Sequence, residues 1–389
     1  RAPDAAPAPL AEPPEQAAAR CYPAISDASG PRFVPADPAA AKTVAVAREA
    51  WIDAPGAIAA AALAAAQAGA RVLVLRNTVA GALAVQRAIE DAAPDPALLF
   101  AVGGVVAPHH GRFAAPDRRL LDAEVERRFG KQAARDGRGC VLVGTQTLEM
   151  SLDIDADLML TDLCPMDVLL QRLGRLHRHR DVVRPAGFEA ARATVLVPEA
   201  RDLLPFLARH GGGRTRHGLG RVYENVLSIE ATWRQLEQRA ALTVPDDNRA
   251  LVEAATHPDT LRALATGLGE VWDAHLRHVT GARSAERGQA GSAALRWDRE
   301  PPSDTAFPFD ERLPTRLGGD DRRFRLEPAA VSPFGQALDE IVVPGWMARD
   351  VPVECECLAV KPGETPYFVA KDGAVQYTYG RLGLERPGA

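Results

Sequence analysis

Five short apolar runs constrain the fold of this chain more than anything else in it: RVLVLRN at 71–77, LLFAV at 98–102, CVLVGTQ at 140–146, DLMLTDL at 157–163 and ATVLVP at 193–198. Helical stretches lie between them, over about 80–91, as a charged helix near 119–130, and from about 166. A strand buried on both sides has no polar alternation, so near-continuous apolar strands separated by helices predict a parallel sheet with helices on both faces. We read 40–204 as one such α/β domain. The run AIAAAALAAAQAGA at 57–70 is alanine-dominated and contains Gln67. It is shorter than the roughly 18 apolar residues of a membrane span and reads as a buried amphipathic helix, so no membrane partner is expected.

In open parallel sheets, function gathers in the loops after the carboxyl ends of the strands. Asn77-Thr78, Gly144-Thr145-Gln146 and Asp162 all occupy such positions. Position alone fixes no chemistry.

Beyond 205 the pattern changes. GLGRVYENVLSIEATWRQLEQRA (218–240) has apolar residues at 222, 226, 229, 233 and 236, and VPDDNRALVEAA (244–255) gives a Pro-broken turn and a further helix. This makes 205–284 a helical linker region. The Gly-, Pro-, Arg- and Asp-rich stretch 281–335 reads as linker, and the alternating runs around a Lys371-Asp372-Gly373 turn as a small β-rich cap. The expected divisions are a Pro/Ala-rich lead-in at 1–39, the α/β domain at 40–204, the helical linker at 205–284 and a small mixed α/β accessory domain at 285–389.

Cys21, Cys140, Cys164, Cys355 and Cys357 form no CxxC pair. Isolated thiols in a reducing cytosol are expected, not a zinc site, and the expected location is cytoplasmic.

Residues 171–180, QRLGRLHRHR, place four arginines and two histidines in ten positions of a chain with net charge −5. A solvated helix end complementing the dipole, a general nucleic-acid patch and a set of arginines aimed at a phosphate all compete for it. If the helix continues, Arg175 and Arg178, three apart, project from one face toward one point.

The run GTQTLEMSLDIDADLMLTDLCPMDVLLQRLGRLHRHR (144–180) resembles, almost end to end, the last motifs of superfamily 2 helicases. It is similar in particular to the CRISPR-associated helicase-nucleases of type I interference systems. LVLRNTVAGALAVQRAI (73–89), HHGRFAAPDRRLLDAEVERRFGK (109–131), the helical stretch from Val222 and RLPTRLGG (312–319) extend the resemblance.

The resemblance implies a second RecA-like lobe with a linker and a C-terminal domain. It implies two arginine fingers, Arg175 and Arg178, with Gln171 near the γ-phosphate, and Gly174, Ser151 and Asp153 on the nucleotide side. Fingers of this kind are worth roughly 10³–10⁵ in turnover. It implies contacts of Thr145, Gln146, Asn77, Thr78 and Arg112 with the nucleic-acid backbone, although Thr and Asn in these places also cap helices and form turns.

The implied cofactors are ATP and Mg²⁺, the Mg²⁺ held by a first RecA-like lobe, and a nuclease metal belongs to a separate N-terminal domain. The implied partners are single-stranded DNA, that first lobe and an RNA-guided surveillance complex. The sequence itself carries no GxxxxGK[ST] loop and no DExH motif, and CYPAI at 21–25 resembles the stretch that follows the first lobe. The chain is therefore expected to hold half an ATP site and, alone, neither to hydrolyse ATP nor to cut DNA. Two other readings remain open: the second lobe of a different superfamily 2 helicase, and a non-enzymatic DNA-binding scaffold.

Overall fold

The computed structural model describes residues 13–20, 24–33, 41–149, 152–214, 216–293, 321–361, 367–370, 373 and 375–387. Ser151, the stretch 312–319, Cys21-Tyr22-Pro23 and the first two residues of the Lys371-Asp372-Gly373 turn lie outside them.

Helix α1 (Pro14–Ala19) and a hairpin of β1 (Ala24–Asp27) and β2 (Gly30–Phe33) come first. The α/β domain then alternates β3 (Lys42–Glu49), α2 (Pro55–Gln67), β4 (Arg71–Leu75) and α3 (Val79–Ala92). A short hairpin, β5 (Ala101–Val102) and β6 (Val105–Val106), precedes α4 (Ala115–Phe129), β7 (Cys140–Gly144), β8 (Leu158–Asp162), α5 (Met166–Leu173) and β9 (Arg192–Leu196). Helix α6 (Val226–Glu237) leads to β10 (Ala241–Val244), which closes the sheet.

The order is β10-β3-β9-β8-β4-β7, parallel except for β10, which runs antiparallel to β3. The expected doubly covered sheet is present. Alternation along its strands divides the core in two. Leu73 and Leu75 of β4 pack on one face with Leu121, Val125 and Leu169, while Val72 and Val74 pack on the other with Ile58, Ala62 and Val85. All four β4 residues from Val72 to Leu75 are inaccessible to solvent, each side chain contributing about 1.5–3 kcal/mol by burial.

Two expectations are corrected here. LLFAV supplies no strand of the main sheet: Asp95 caps a single 3₁₀ turn at Pro96–Leu98, and Ala101–Val102 turns back at Gly103 and Gly104 to pair with β6 alone, their φ of 56° and 84° suiting glycine. Nor is 281–335 simply irregular. After α7 (Asn248–Thr256) and α8 (Pro258–Leu268), helix α9 (Glu270–Ala293) runs well into it, and β11 (Arg322–Val331) begins before it ends. The strand β3, which was not foreseen, supplies one of the six positions in the main sheet.

The C-terminal residues form a second six-stranded sheet, ordered β12-β11-β13-β14-β15-β16. Its remaining strands are β12 (Ala337–Val343), β13 (Cys357–Lys361), β14 (Tyr367–Ala370), β15 (Gln376–Gly380) and β16 (Gly383–Glu385). Only the β11–β13 pair is parallel. Among the described residues no helix is long and apolar enough to cross a membrane.

Candidate functional site

The carboxyl ends of β4, β7 and β8 converge on one buried guanidinium. Arg172, on the inward face of α5, is inaccessible to solvent. It donates to Glu149 Oε1 at 2.8 Å, Thr161 Oγ1 at 2.8 Å, the Asp162 carbonyl at 3.2 Å, Asn77 Oδ1 at 3.0 Å and the Tyr223 hydroxyl at 2.9 Å. A buried charge is tolerated only when its donors are satisfied in this way. Arg172 thus acts structurally, tying the strand ends together.

Asn77 is equally committed. Its amide donates to the Leu163 carbonyl at 2.8 Å, and its backbone N–H donates to Asp162 Oδ2 at 2.8 Å. The other Asp162 oxygen takes Arg76 Nε at 2.7 Å. Gln146 Nε2 donates to the Asn77 carbonyl at 2.8 Å, and Thr78 Oγ1 caps α3 by accepting the Gly81 N–H at 3.0 Å. Asn77 and Thr145 are buried, whereas Thr78, Gln146 and Arg112 are half-buried. Beside this hub the Cys164 thiol is pushed by burial to a pKa of about 12, which leaves it protonated.

The basic segment departs from its expected geometry. Helix α5 ends at Leu173 and Gly174 caps it, so Arg175 and Arg178 do not share a helix face. Beyond the helix the chain bends at His177, with a φ of 47°, and Leu176 pairs in parallel with Ala156 as an isolated bridge. Segment 174–179 lies zipped against 149–157, with the Ala156 N–H on the Arg175 carbonyl at 2.9 Å and the His177 N–H on the Ala156 carbonyl at 3.0 Å.

The two arginines therefore differ. Arg175 is half-buried and turned inward, its Nη1 on the Leu152 carbonyl at 2.7 Å and its Nε on the Glu149 carbonyl at 3.2 Å. Arg178 points outward with 42% of its side chain exposed, its Nε 2.7 Å from Asp153 Oδ1. The second Asp153 oxygen meets His179 Nε2 at 3.0 Å. Gln171 is exposed at the end of α5. Gly174 answers a local need, since a Cβ there would stand 3.0 Å from the Gln171 carbonyl oxygen.

Two groups that hold this segment were not singled out in the sequence. Asp155 Oδ1 accepts the backbone N–H of Arg178 at 2.8 Å, and both Asp155 and Asp157 are tied to Arg135 and Arg184. Burial disfavours the Asp155 carboxylate, but Arg184 and Arg135 outweigh it and hold its pKa below the ordinary value. Lys42, from β3, donates to the Leu173 carbonyl at 2.8 Å and also to that of Leu176. It satisfies carbonyls at the C-terminal end of α5, where a cation complements the dipole. Burial lowers its pKa to about 8. The alternating acids of DIDAD (153–157) were the available signal for the first group. Lys42 stands 131 residues from its partner Leu173, with no local sign.

The block 109–118 faces the C-terminal sheet. Tyr379 Oη donates to Asp117 Oδ2 at 2.6 Å and accepts the Ala114 N–H at 2.9 Å, while Ser332 Oγ donates to Asp117 Oδ1 at 2.7 Å. The Leu384 N–H reaches the Arg112 carbonyl at 2.9 Å, and Arg381 pairs with Glu90 at 2.7 Å. His110, stacked on Phe113 at 4.7 Å, donates through Nε2 to the Leu382 carbonyl, and burial depresses its pKa to about 3. His109 is buried against Asp122 and Thr147. These histidines serve packing. No group of three or more His, Cys, Asp or Glu among the described residues is placed to hold a metal ion.

Residues 68–181 match the family model described as CRISPR-associated nuclease/helicase Cas3, C-terminal. The chain is 41% identical over 147 residues to the CRISPR-associated endonuclease/helicase Cas3 of Escherichia coli K12, a span of 37% of this chain and 15% of that protein. The crystal structure of T. fusca Cas3 covers 90% of this chain at a TM-score of 0.63 and 20% identity, over 43% of its own length. A chain of a structure described as a CRISPR RNA-guided surveillance complex, pre-nicking, covers 91% at a TM-score of 0.60 and 21% identity, over 45% of its length. Sequence and fold are both similar to the C-terminal part of Cas3 proteins, and this chain spans less than half the length of each of these relatives.

Proposed function

From this likeness to the C-terminal part of Cas3 helicase-nucleases, we propose that the chain is the second helicase lobe and C-terminal region of an ATP-driven single-strand DNA translocase. In type I CRISPR interference it would act on DNA opened by an RNA-guided surveillance complex. The observation that carries the reading is Arg178. It is an outward-facing guanidinium on a segment braced from below by Asp155, in a sequence with no phosphate loop of its own.

A guanidinium is permanently charged and binds phosphate oxygens through parallel hydrogen bonds. A γ-phosphate presented by a first lobe would compete with Asp153 for Arg178, an exchange between two anionic partners that needs no backbone change. Arg175 requires more, because it must release the carbonyls of Glu149 and Leu152 before it can turn outward. Arg178 and Gln171 would hold the triphosphate, which would supply the driving force when bound, and Mg²⁺ would be held by the first lobe. Asp153 holds the Arg178 guanidinium at 2.7 Å, and Gly174 keeps the turn compact. On the strand side, Thr78, Gln146 and Thr145 line the ends of β4 and β7. Asn77 sets their positions from within.

The test is single-strand-stimulated ATP hydrolysis by this chain alone and after addition of a phosphate-loop lobe from the same protein. Silence alone with turnover on addition supports the half-site. Turnover by the chain alone contradicts it, and silence in both with DNA binding retained favours a scaffold.

A further inference from the structure

Trp346 stands where the C-terminal sheet meets the α/β domain, with two arginines around its ring. The guanidinium carbon of Arg112 lies 5.1 Å from the ring centre and that of Arg221 lies 5.9 Å from it. The indole is still 38% exposed. Arg221 is exposed and Arg112 half-buried. Among the described residues neither guanidinium forms a hydrogen bond or an ion pair. The acid whose field reaches Arg112, Glu385, is itself engaged by Arg87 at 3.2 Å.

Three separate elements bring these residues together, and each is fixed. The Trp346 turn is pinned at the Met347 carbonyl by the Tyr377 hydroxyl and by Arg386, both at 2.9 Å. Arg112 is held through its own carbonyl by the Leu384 N–H. Arg221 follows Gly218 and Gly220, at φ 77° and 83°. A Cβ on Gly218 would come within 2.8 Å of Asn77 Cβ and 3.2 Å of Thr78 Cγ2, so the Arg221 loop lies directly against the Asn77-Thr78 end of β4.

Two cations sharing one ring repel each other, and an anion between them removes that cost. With Trp346 partly exposed, a base can take a guanidinium's place on the indole face once that arginine turns to the adjoining phosphate. We propose that Trp346, Arg112 and Arg221 form a single-strand nucleic-acid subsite, with a base stacked on the indole and a phosphate held by the arginine pair. The subsite continues the strand path past Thr78 and makes the C-terminal sheet a direct contributor to binding. It rests on the strand-tracking reading above.

The test is fluorescence anisotropy of a labelled oligothymidine with the 389-residue chain, over a salt series. Trp346→Ala should weaken binding about tenfold or more, with Trp346→Phe retaining most of it. Arg221→Ala should lower affinity and reduce the slope of log K against log salt by about 0.7, one phosphate contact on a single strand. A wild-type chain that binds, with Arg221→Ala and Trp346→Phe matching it in affinity and salt slope and Trp346→Ala folded and equally tight, overturns the subsite and leaves the strand-tracking reading standing. A folded wild-type chain that does not bind overturns both.

Discussion

Asp155 accepts the backbone N–H of Arg178 at 2.8 Å with the same carboxylate oxygen that Arg184 engages at 2.7 Å. One buried acid thus fixes where an exposed arginine begins. Removing a partner from a buried ionic cluster costs about 3–5 kcal/mol, so Asp155→Asn should lower the unfolding free energy by that order in denaturant titrations. The pKa of Asp155 is depressed in the fold, so its stabilisation is complete above about pH 5 and is lost as pH falls through the lowered value. The wild-type advantage over Asp155→Asn should shrink below about pH 4.

Burial moves the Lys42 pKa well below that of a surface lysine. Its folded pKa is about 8 against an ordinary value of 10.5, so between those values the unfolded chain binds more protons and stability rises with pH. Relative to Lys42→Met, the wild type should gain about 2 kcal/mol between pH 8 and pH 10. Parallel curves for the two proteins would contradict the burial of the ammonium.

Arg172→Lys should behave as a disruptive change. A lysine cannot reproduce the five-acceptor arrangement at Glu149, Thr161, Asp162, Asn77 and Tyr223. We expect a loss of at least about 3 kcal/mol, read by thermal and chemical unfolding.

Tyr379→Phe removes one hydroxyl and leaves both Asp117 Oδ2 and the Ala114 N–H without that partner. The expected cost is about 1–3 kcal/mol. It should appear as faster amide exchange in 109–117 and easier proteolysis between the α/β domain and the C-terminal sheet. Unchanged exchange would show that the two are held together elsewhere.

The sequence exposed the features that depend on local pattern. Doubly buried stretches such as VLVL at 72–75 lack polar residues because both faces meet helices, and the parallel sheet follows from that. The QRLGRLHRHR cluster marked the candidate site through its charge. Side-chain direction was not legible, because it depends on partners far along the chain. Arg175 turns inward toward carbonyls that follow β7, and the helix stops at Gly174 where Lys42 meets its end. Asn77 reads as a surface turn residue until Arg172 and Leu163 are seen to occupy its amide. Trp346 lies outside every motif, and only packing sets it beside Arg112 and Arg221.

The most direct measurement is single-strand-stimulated ATP hydrolysis by the complete protein carrying Arg178→Ala, with DNA affinity measured on the same sample. Loss of an arginine finger should reduce turnover by about 10³-fold or more while DNA affinity stays near that of the wild type. Turnover within a few fold of the wild type would contradict the assignment of Arg178 to the triphosphate.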